Sequence, residues 1–283
     1  MKFGTGLAIT ATQDGATLRA TARAFDDAGL DYLTIGGHVL AVEDGRFPER
    51  PSRNYIGPFH DPFVLFAHLA AVTTRLRFRT AILILPQLPT GLVAAQAAEL
   101  SALSEGRFEL GVGLSWNQVE YAALGQDAST RGRRLDEQLG LLRRLWSEPY
   151  VEFDGRFDHF DRVGLNRQVP PIPLWIGSTA DPRPLRRAAK YADGWIPMGR
   201  PSDEALTQLR AWLVEEGRDP AAFGLTLGLT LEGSASDWID GARDLERLGA
   251  THMGLAAPAD LDELAARQRV IEAADVLRSA FGA

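Results

Sequence analysis

Short apolar runs alternate with amphipathic stretches along the whole chain. Residues 15–28 place Leu18, Ala22 and Phe25 on one face at helical spacing, and a glycine follows where helices commonly end. Residues 76–85 form instead a mostly apolar run, which is typical of a strand buried on both faces. The pattern therefore predicts eight strands, each followed by a helix. These strands cover residues 3–9, 32–35, 76–85, 108–112, 172–176, 194–197, 225–231 and 253–256.

Eight strand–helix units are the number found in an α/β fold of the (β/α)8 TIM-barrel type. Helices supply the crossovers that parallel strands need, and no shift in composition divides the chain, so we expect a single domain over residues 1–283. A doubly wound open sheet is the alternative. Two connections are unusually long, residues 37–60 after the second strand and 148–171 before the fifth. We expect these two insertions to shape a substrate site, because long ordered loops are often functional.

Asp61 and Pro62 predict a helix start, because Asp can cap a helix and Pro suits its first turn. That helix is expected to run to about residue 72. Its side chains Phe63, Leu65 and Phe66 are apolar on more than one face, which is typical of a helix buried on both sides.

Composition narrows the class of protein. Of the 283 residues, 45% are apolar and 24% are charged, as in ordinary globular proteins. The formal net charge of -7 argues against nucleic-acid partners, and no run approaches the roughly 18 apolar residues of a membrane helix. The chain has no cysteine, which excludes disulfides and thiolate metal sites and fits a cytoplasmic location. The N-terminus is interpreted as a first strand rather than a signal peptide.

Several common catalytic motifs are missing. Gly111 and Gly113 follow a strand, but Trp116 stands where a dinucleotide-binding fingerprint needs its third glycine. The sequence has no phosphate-binding loop ending in Gly-Lys-Ser/Thr, no Gly-x-Ser-x-Gly elbow and no paired-histidine zinc helix, so no metal site is predicted. The predicted strand ends are mostly small and apolar. Such a cavity suits a large planar cofactor that brings its own reactivity.

Two of the predicted strand ends carry side chains with useful chemistry. His38 is the only histidine at a catalytic-side strand end, where it could serve in chemistry or be a satisfied structural residue. Asn117 could hydrogen-bond the edge of a heterocycle while Trp116 offers a stacking wall. The alternative is that Asn117 caps the next turn and Trp116 lies in the core.

A third strand end carries the segment Gly177, Ser178 and Thr179 just before a helix. Its backbone N–H groups could cradle a phosphate, or the segment could be a plain tight turn. The helix that follows carries four cations that could attract an anionic tail or simply form a solvated face. They are Arg183, Arg186, Arg187 and Lys190.

These segments resemble a known family. The stretch from Asp61 to Gly125, beginning DPFVLFAHLAAVTTRLRFRTAILILP, closely resembles the bacterial luciferase-like monooxygenase superfamily. RGRRLDEQLGLLRRLWSEP and VPPIPLWIGSTADPRPLRRAAKYADGWIPMG continue the match. The chain is most similar to the deazaflavin branch, which uses coenzyme F420; the flavin mononucleotide (FMN) branch is the alternative.

The resemblance implies a TIM barrel, commonly dimeric, that binds the cofactor ring at the C-terminal strand ends. It implies a backbone bulge around Ile82 and Leu83 that supports the ring, and a segment at residues 177–179 that meets the cofactor phosphate. It also matches His38 to the histidine that the family carries at the end of the second strand. It also places Gly37 where the family has Asp, and Leu114 where the sugar-phosphate dehydrogenase members have Glu, so that exact reaction is not expected. The implied cofactor contacts are Ile82, Leu83, Gly113, Ser115, Trp116, Asn117, Gly177, Ser178 and Thr179.

We therefore expect a homodimeric oxidoreductase that transfers a hydride between coenzyme F420 and a small or medium organic substrate. His38 and Asn117 are the expected catalytic residues, with His38 as acid or substrate-orienting donor. An FMN-dependent monooxygenase using molecular oxygen is one alternative. A non-catalytic flavin- or deazaflavin-binding protein is another.

Overall fold

Eight parallel strands close into a barrel in the computed structural model, which describes residues 1–7, 14–42 and 59–282. Going round the barrel, the order is β1, β2, β3, β4, β7, β8, β9 and β10, and β10 pairs with β1. These strands are β1 (Lys2–Gly6), β2 (Tyr32–Ile35), β3 (Arg77–Thr80), β4 (Phe108–Gly113), β7 (Leu174–Ser178), β8 (Gly194–Pro197), β9 (Gly224–Thr230) and β10 (His252–Ala256). The predicted fold is confirmed.

Helices surround the barrel, as the predicted alternation requires. The helices are α1 (Gly15–Asp27), α2 (Pro62–Ala70), α3 (Thr90–Leu103), α4 (Gln118–Ala123), α5 (Arg131–Ser147), α6 (Pro182–Tyr191), α7 (Asp203–Glu215), α8 (Ala235–Arg247) and α9 (Glu263–Phe281). As predicted, Asp61 caps α2, because its Oδ1 accepts the N–H of Val64 at 2.9 Å. Within the described residues, no helix combines the length and apolar character needed to cross a membrane.

The barrel interior changes along its axis. On β9, side chains at alternate positions face inward, starting with Gly224, which is buried. Further along the strand Thr226 is half-buried, and Gly228 and Thr230 are exposed. Exposure therefore increases toward the C-terminal end, where the barrel opens into a mouth.

The third predicted strand is wrong beyond Thr80. The regular ladder of β3 ends there, the Ala81–Ile82 peptide bond is cis, and Leu83 rejoins β4 through a single bridge to Val112. Leu85–Gln87 then forms a short 3-10 turn. The irregular stretch lies where the resemblance implied a bulge around Ile82 and Leu83. The first strand ends at Gly6, and residues 8 and 9 of its predicted range lie outside the described residues.

The insertion before the fifth barrel strand forms an antiparallel hairpin of β5 (Val151–Asp154) and β6 (His159–Val163). Its turn is fixed to α5 by Glu137, whose carboxylate accepts the N–H groups of residues 156–158 at 2.8 Å. It is also fixed to α3, because Thr90 Oγ1 donates to Asp158 Oδ2 at 2.7 Å. Most of the other insertion, residues 43–58, lies outside the described residues.

The apolar side chains of α2 are buried within this one chain. Phe66 packs against Phe78 and Phe108, and Leu65 and Phe63 are also buried, whereas Val64 is exposed. The barrel and its own helices therefore account for the burial on more than one face. The homodimer stays a prediction of the resemblance.

Candidate functional site

His38 lies just beyond the C-terminal end of β2. Its Nδ1 is 2.7 Å from Oε2 of Glu120, and its ring centroid is 5.2 Å from that of Phe59. The side chain is 18% exposed, whereas the side chain of Glu120 is completely buried. No hydrogen bond to Nε2 of His38 occurs within the described part of the chain. One ring nitrogen is therefore held by Glu120, and the other has no hydrogen-bond partner among the described residues.

Glu120 fixes the backbone that follows His38. Its Oε1 accepts the N–H of Val39 at 2.7 Å and that of Leu40 at 3.2 Å, while Oε2 faces the histidine. Asn117 Nδ2 lies 3.5 Å from the same Oε2. This one carboxylate connects α4 to the end of β2.

The environment of Glu120 favours its charged form. Burial alone would raise the pKa of the carboxyl. The hydrogen bond from His38, the charge of His38 and the N–H of Leu40 together outweigh burial. The pKa of Glu120 is therefore lowered below its ordinary value. The Gln87 carboxamide lies close enough to add to this lowering, although neither of its polar atoms meets hydrogen-bond geometry with a described residue. A charged carboxylate only accepts, so Nδ1 of His38 is the donor.

Asn117 is buried and caps α4. Its Oδ1 accepts the N–H of Glu120 at 3.1 Å, and its own N–H donates to Ser115 Oγ at 3.0 Å. The amide oxygen is therefore engaged within the protein, as the capping alternative predicted. Ser115 is also buried, Trp116 is half-buried, and Leu114 is exposed at the mouth.

Ile82, Gly113 and Gly177 meet at the tops of neighbouring strands. A Cβ on Gly177 would lie 2.4 Å from Cγ2 of Ile82, and one on Gly113 would lie 3.0 Å from its Cδ1. Both glycines thus leave room for the Ile82 side chain. The structure brings these three predicted contacts together, with Leu83 buried beside them.

Ser178 and Thr179 follow on from Gly177 toward α6. Ser178 Oγ accepts from Trp195 Nε1 and donates to the Thr179 carbonyl, both at 3.0 Å. Thr179 Oγ1 donates to Asp181 Oδ2 at 2.7 Å. Asp181 already places a negative charge at the N-terminus of α6. A phosphate at this position would have to approach beside that carboxylate.

The four cations on α6 are not equivalent. Arg187 Nε lies 2.5 Å from Asp136 Oδ1, and Arg186 Nη2 lies 3.1 Å from Glu215 Oε2. Arg183 and Lys190 are exposed and form no ion pair with any described residue. Two of the four charges are therefore neutralised by partners on neighbouring helices.

The open mouth is lined by small side chains. Gly6, Gly228 and Ala256 are exposed on the inward positions of β1, β9 and β10. Among the residues that the structure describes, no heavy atom outside its immediate chain neighbours lies within 4 Å of the position that a Cβ would occupy on Gly228. Among residues 1–7, 14–42 and 59–282, no group of three His, Asp or Glu side chains is arranged to hold a metal ion.

Comparison with known proteins agrees with this geometry. The sequence model of the luciferase-like monooxygenases matches residues 1–280. The chain belongs to this family. One relative is the uncharacterized protein Rv0940c of Mycobacterium tuberculosis, which is 38% identical over 240 residues, with 81% of each chain covered.

Two further family relatives have names that state an activity. The F420-dependent hydroxymycolic acid dehydrogenase of Mycobacterium tuberculosis is 28% identical over 213 residues, covering 73% of this chain and 56% of the relative. The pyrimidine monooxygenase RutA of Allorhizobium ampelinum is 30% identical over 194 residues, covering 62% of this chain and 52% of the relative. The family thus includes both dehydrogenases and monooxygenases.

Solved structures share the fold at low sequence identity. An F420-dependent secondary alcohol dehydrogenase has a TM-score of 0.80 at 14% identity, covering 98% of this chain and 99% of its own. The oxygenating constituent of 3,6-diketocamphane monooxygenase of Pseudomonas putida, in complex with FMN, has a TM-score of 0.76 at 14% identity, covering 99% and 98%. Proteins with this barrel therefore accept either a deazaflavin or a flavin.

Sequence reasoning missed Glu120 as a site residue. The signal available was its position three residues after Asn117, a spacing that predicts a capping box. A capping box would turn the carboxylate back to its own helix, but here it reaches His38, 82 residues earlier in the chain. Only the closed barrel brings these two positions together.

Proposed function

We propose that this protein is an oxidoreductase that transfers a hydride between coenzyme F420 and a small or medium organic substrate. The observation that carries the proposal is the buried Glu120 paired with the partly exposed His38 beside an open mouth lined by small residues. A bound deazaflavin supplies the hydride donor or acceptor, and the protein must then orient the substrate, exclude water and handle one proton.

The described residues can divide these tasks. Ile82, Gly113 and Gly177 would form the platform beneath the ring, and Ser178 with Thr179 would lie toward its phosphate. His38 would hold or release a proton through Nε2, because Glu120 already holds its Nδ1. Asn117 would act mainly by fixing α4, since its amide oxygen caps that helix.

The relative named as an F420-dependent hydroxymycolic acid dehydrogenase supports the deazaflavin over other cofactors. Arg183 and Lys190 add weaker support, because they are the two cations of α6 without an ion pair among the described residues. The anionic glutamate tail of F420 would gain from such charges, and FMN lacks this tail.

Binding titrations with both cofactors test the proposal. We expect tighter binding of F420 than of FMN, and we expect the F420 affinity to fall as salt rises, because exposed charges are screened over about 8–10 Å at physiological ionic strength. The double variant Arg183→Gln, Lys190→Gln should weaken F420 binding and leave FMN binding unchanged. Equal affinities that do not respond to salt would contradict the choice of cofactor.

A second candidate function is an FMN-dependent monooxygenase that uses molecular oxygen. It is favoured by the similarity to the pyrimidine monooxygenase RutA and by the FMN-containing structure with the same fold. FMN binding in preference to F420, with oxygen consumed when a substrate is turned over, would select this candidate. If the protein bound a cofactor but turned over no tested alcohol, aldehyde or ketone, the non-catalytic alternative would replace both.

A further inference from the structure

We infer that Glu120 is a positioning residue that selects the tautomer of His38. This inference rests on the proposed function, in which His38 exchanges a proton with the substrate. Its geometric basis is the 2.7 Å contact between Nδ1 and Oε2 of a buried carboxylate. The proposal assigns to Glu120 a role through His38 and no direct contact with the substrate.

The first step is the state of the carboxylate. Hydrogen bonds and the neighbouring histidine lower the pKa of Glu120 against the opposing effect of burial, so the group is charged and both oxygens accept only. Nδ1 of His38 must then carry the hydrogen. In the neutral ring, Nε2 is left with a lone pair and can accept a proton.

The second step is the division of labour between the two carboxylate oxygens. Oε1 accepts the backbone N–H groups of Val39 and Leu40, and Oε2 faces the histidine. The orientation of the group is therefore fixed independently of His38. Asn117 adds a third restraint, because it caps the helix that carries Glu120.

Because the two oxygens have separate partners, Glu120→Gln changes the group that faces His38 and keeps the group that faces the backbone. The amide oxygen should take the place of Oε1, since only an oxygen can accept the two backbone N–H groups. The NH2 group then faces Nδ1 of His38 and donates to it. The ring is forced into the opposite tautomer, with the hydrogen on Nε2, while size and backbone contacts are kept.

The tautomer is measured by 15N NMR of the histidine rings in the full-length protein, at a pH where the His38 ring is neutral. The His38 signals are assigned by their loss in His38→Gln. We expect hydrogen on Nδ1 in the wild type and on Nε2 in Glu120→Gln. In Glu120→Asp, whose oxygens still accept only, we expect hydrogen on Nδ1.

Activity is then measured on the same variants. We expect kcat of Glu120→Gln to fall by about 10²–10⁴-fold with cofactor affinity kept, because the ring presents the wrong form of Nε2. Glu120→Asp should recover part of this loss. The matched control is Asp26→Asn, which changes another buried carboxylate that accepts backbone N–H groups, those of residues 74–76, and has no hydrogen bond to a described histidine. The control should retain kcat within about twofold.

Two results would overturn the inference. One is a wild-type ring with hydrogen on Nε2, and the other is a Glu120→Gln protein that changes tautomer and keeps full kcat. In either case the proposed function stands, provided the wild type turns over F420. A failure of the proposed function looks different, since the wild type would then not turn over F420 with any substrate, while the tautomers still reported the effect of Glu120.

Discussion

The two buried carboxylates Glu109 and Glu120 lie in different halves of the barrel, and the same type of side chain has a different partner in each half. The lower half is at the N-terminal ends of the strands, and the upper half is at their C-terminal ends. Glu109 points into the lower interior, where its Oε1 accepts from Arg77 Nε at 2.7 Å and its Oε2 lies 3.8 Å from Arg79 Nη1. Glu120 lies at the C-terminal end and pairs with His38. The first is paired with permanent cations, whereas the second is paired with an imidazole, which can both accept and donate a proton.

The lower interior is closed as well as permanently charged. The guanidinium of Arg79 is completely buried between two rings, with its central carbon 4.4 Å from the centroid of Tyr32 and 4.1 Å from that of Trp175. Burial raises the pKa of the Tyr32 hydroxyl, which is therefore neutral. Burial of a carboxylate is thus not by itself a sign of a reaction site. A titratable partner that reaches an opening is the distinguishing feature.

The largest expected effect is on the turnover rate, when the histidine that pairs with Glu120 is removed. His38→Ala should lower turnover about 10²–10⁴-fold and leave cofactor affinity unchanged, because in the proposed function His38 exchanges the proton with the substrate. Steady-state kinetics and a binding titration measure the two quantities. If His38 only orients the substrate, KM should rise with kcat little changed.

The control for this experiment is His68→Ala, which removes an exposed histidine on α2 whose Nε2 lies 2.9 Å from Arg19 Nη1. It should retain full turnover. If His38→Ala also kept full turnover and only melted at a lower temperature, the contrast between the two carboxylates would disappear.

The second effect is on stability in the lower half. Arg79→Met should destabilise the protein by about 1–3 kcal/mol, because Oε2 of the buried Glu109 loses its nearest cation while Oε1 keeps Arg77. Urea unfolding measures this loss. The double variant Arg79→Met, Glu109→Gln should lose less than the sum of the single variants. Cofactor affinity should be unchanged in all three, and a large drop in affinity would show that the two halves are coupled.

A third test concerns the platform beneath the mouth. Gly177→Ala should cost about 1–3 kcal/mol of stability, because the added Cβ would lie 2.4 Å from Cγ2 of Ile82. Combining it with Ile82→Ala should cost less than the sum of the two changes, as measured by urea unfolding. The matched control is Gly228→Ala on the open side of the mouth, where a Cβ meets no close atom. Its stability should change little.

The smallest effect is a dependence of stability on pH. Burial, with the charges of Arg79, Lys2 and others, lowers the pKa of His252 to about 2, whereas the unfolded value is near 6.5. Below pH 6.5 the unfolded chain binds a proton at this residue that the folded chain does not. The unfolding free energy should therefore fall by about 1.4 kcal/mol for each pH unit below 6.5.

His252→Asn should flatten this slope between pH 6.5 and 4.5, and urea unfolding at several pH values measures the difference from the wild type. The carboxyls with lowered pKa, including Asp26 and Glu120, act in a separate window. Their stabilisation is present above their unfolded pKa near 4 and is lost as pH falls through the folded value. If the unfolding free energy of His252→Asn changed with pH as steeply as that of the wild type, His252 would not be the residue responsible for the dependence.

The sequence by itself determined the barrel and the position of His38 next to the end of its second strand. Apolar alternation located the strands, and the Asp61-Pro62 pair located the start of α2 correctly. These signals are local, because hydrophobic period and capping act within a few residues. His38 was found in the same way, from its position at the end of β2. The end of β3 at Thr80 was missed, because the apolar run continues beyond the last regular ladder pair.

Only the tertiary structure decided which residues share a site. Glu120 meets His38 across 82 residues, and Ile82 lies over glycines that belong to β4 and β7. The two buried carboxylates also look alike in the sequence. Their partners come from other parts of the chain, and the exposure of each partner depends on how far it lies from the opening of the barrel. Neither property follows from the few residues on either side of the carboxylate. Which carboxylate lies beside a partly exposed histidine is therefore decided by closure of the barrel, because closure sets the distance, burial and charge around each group.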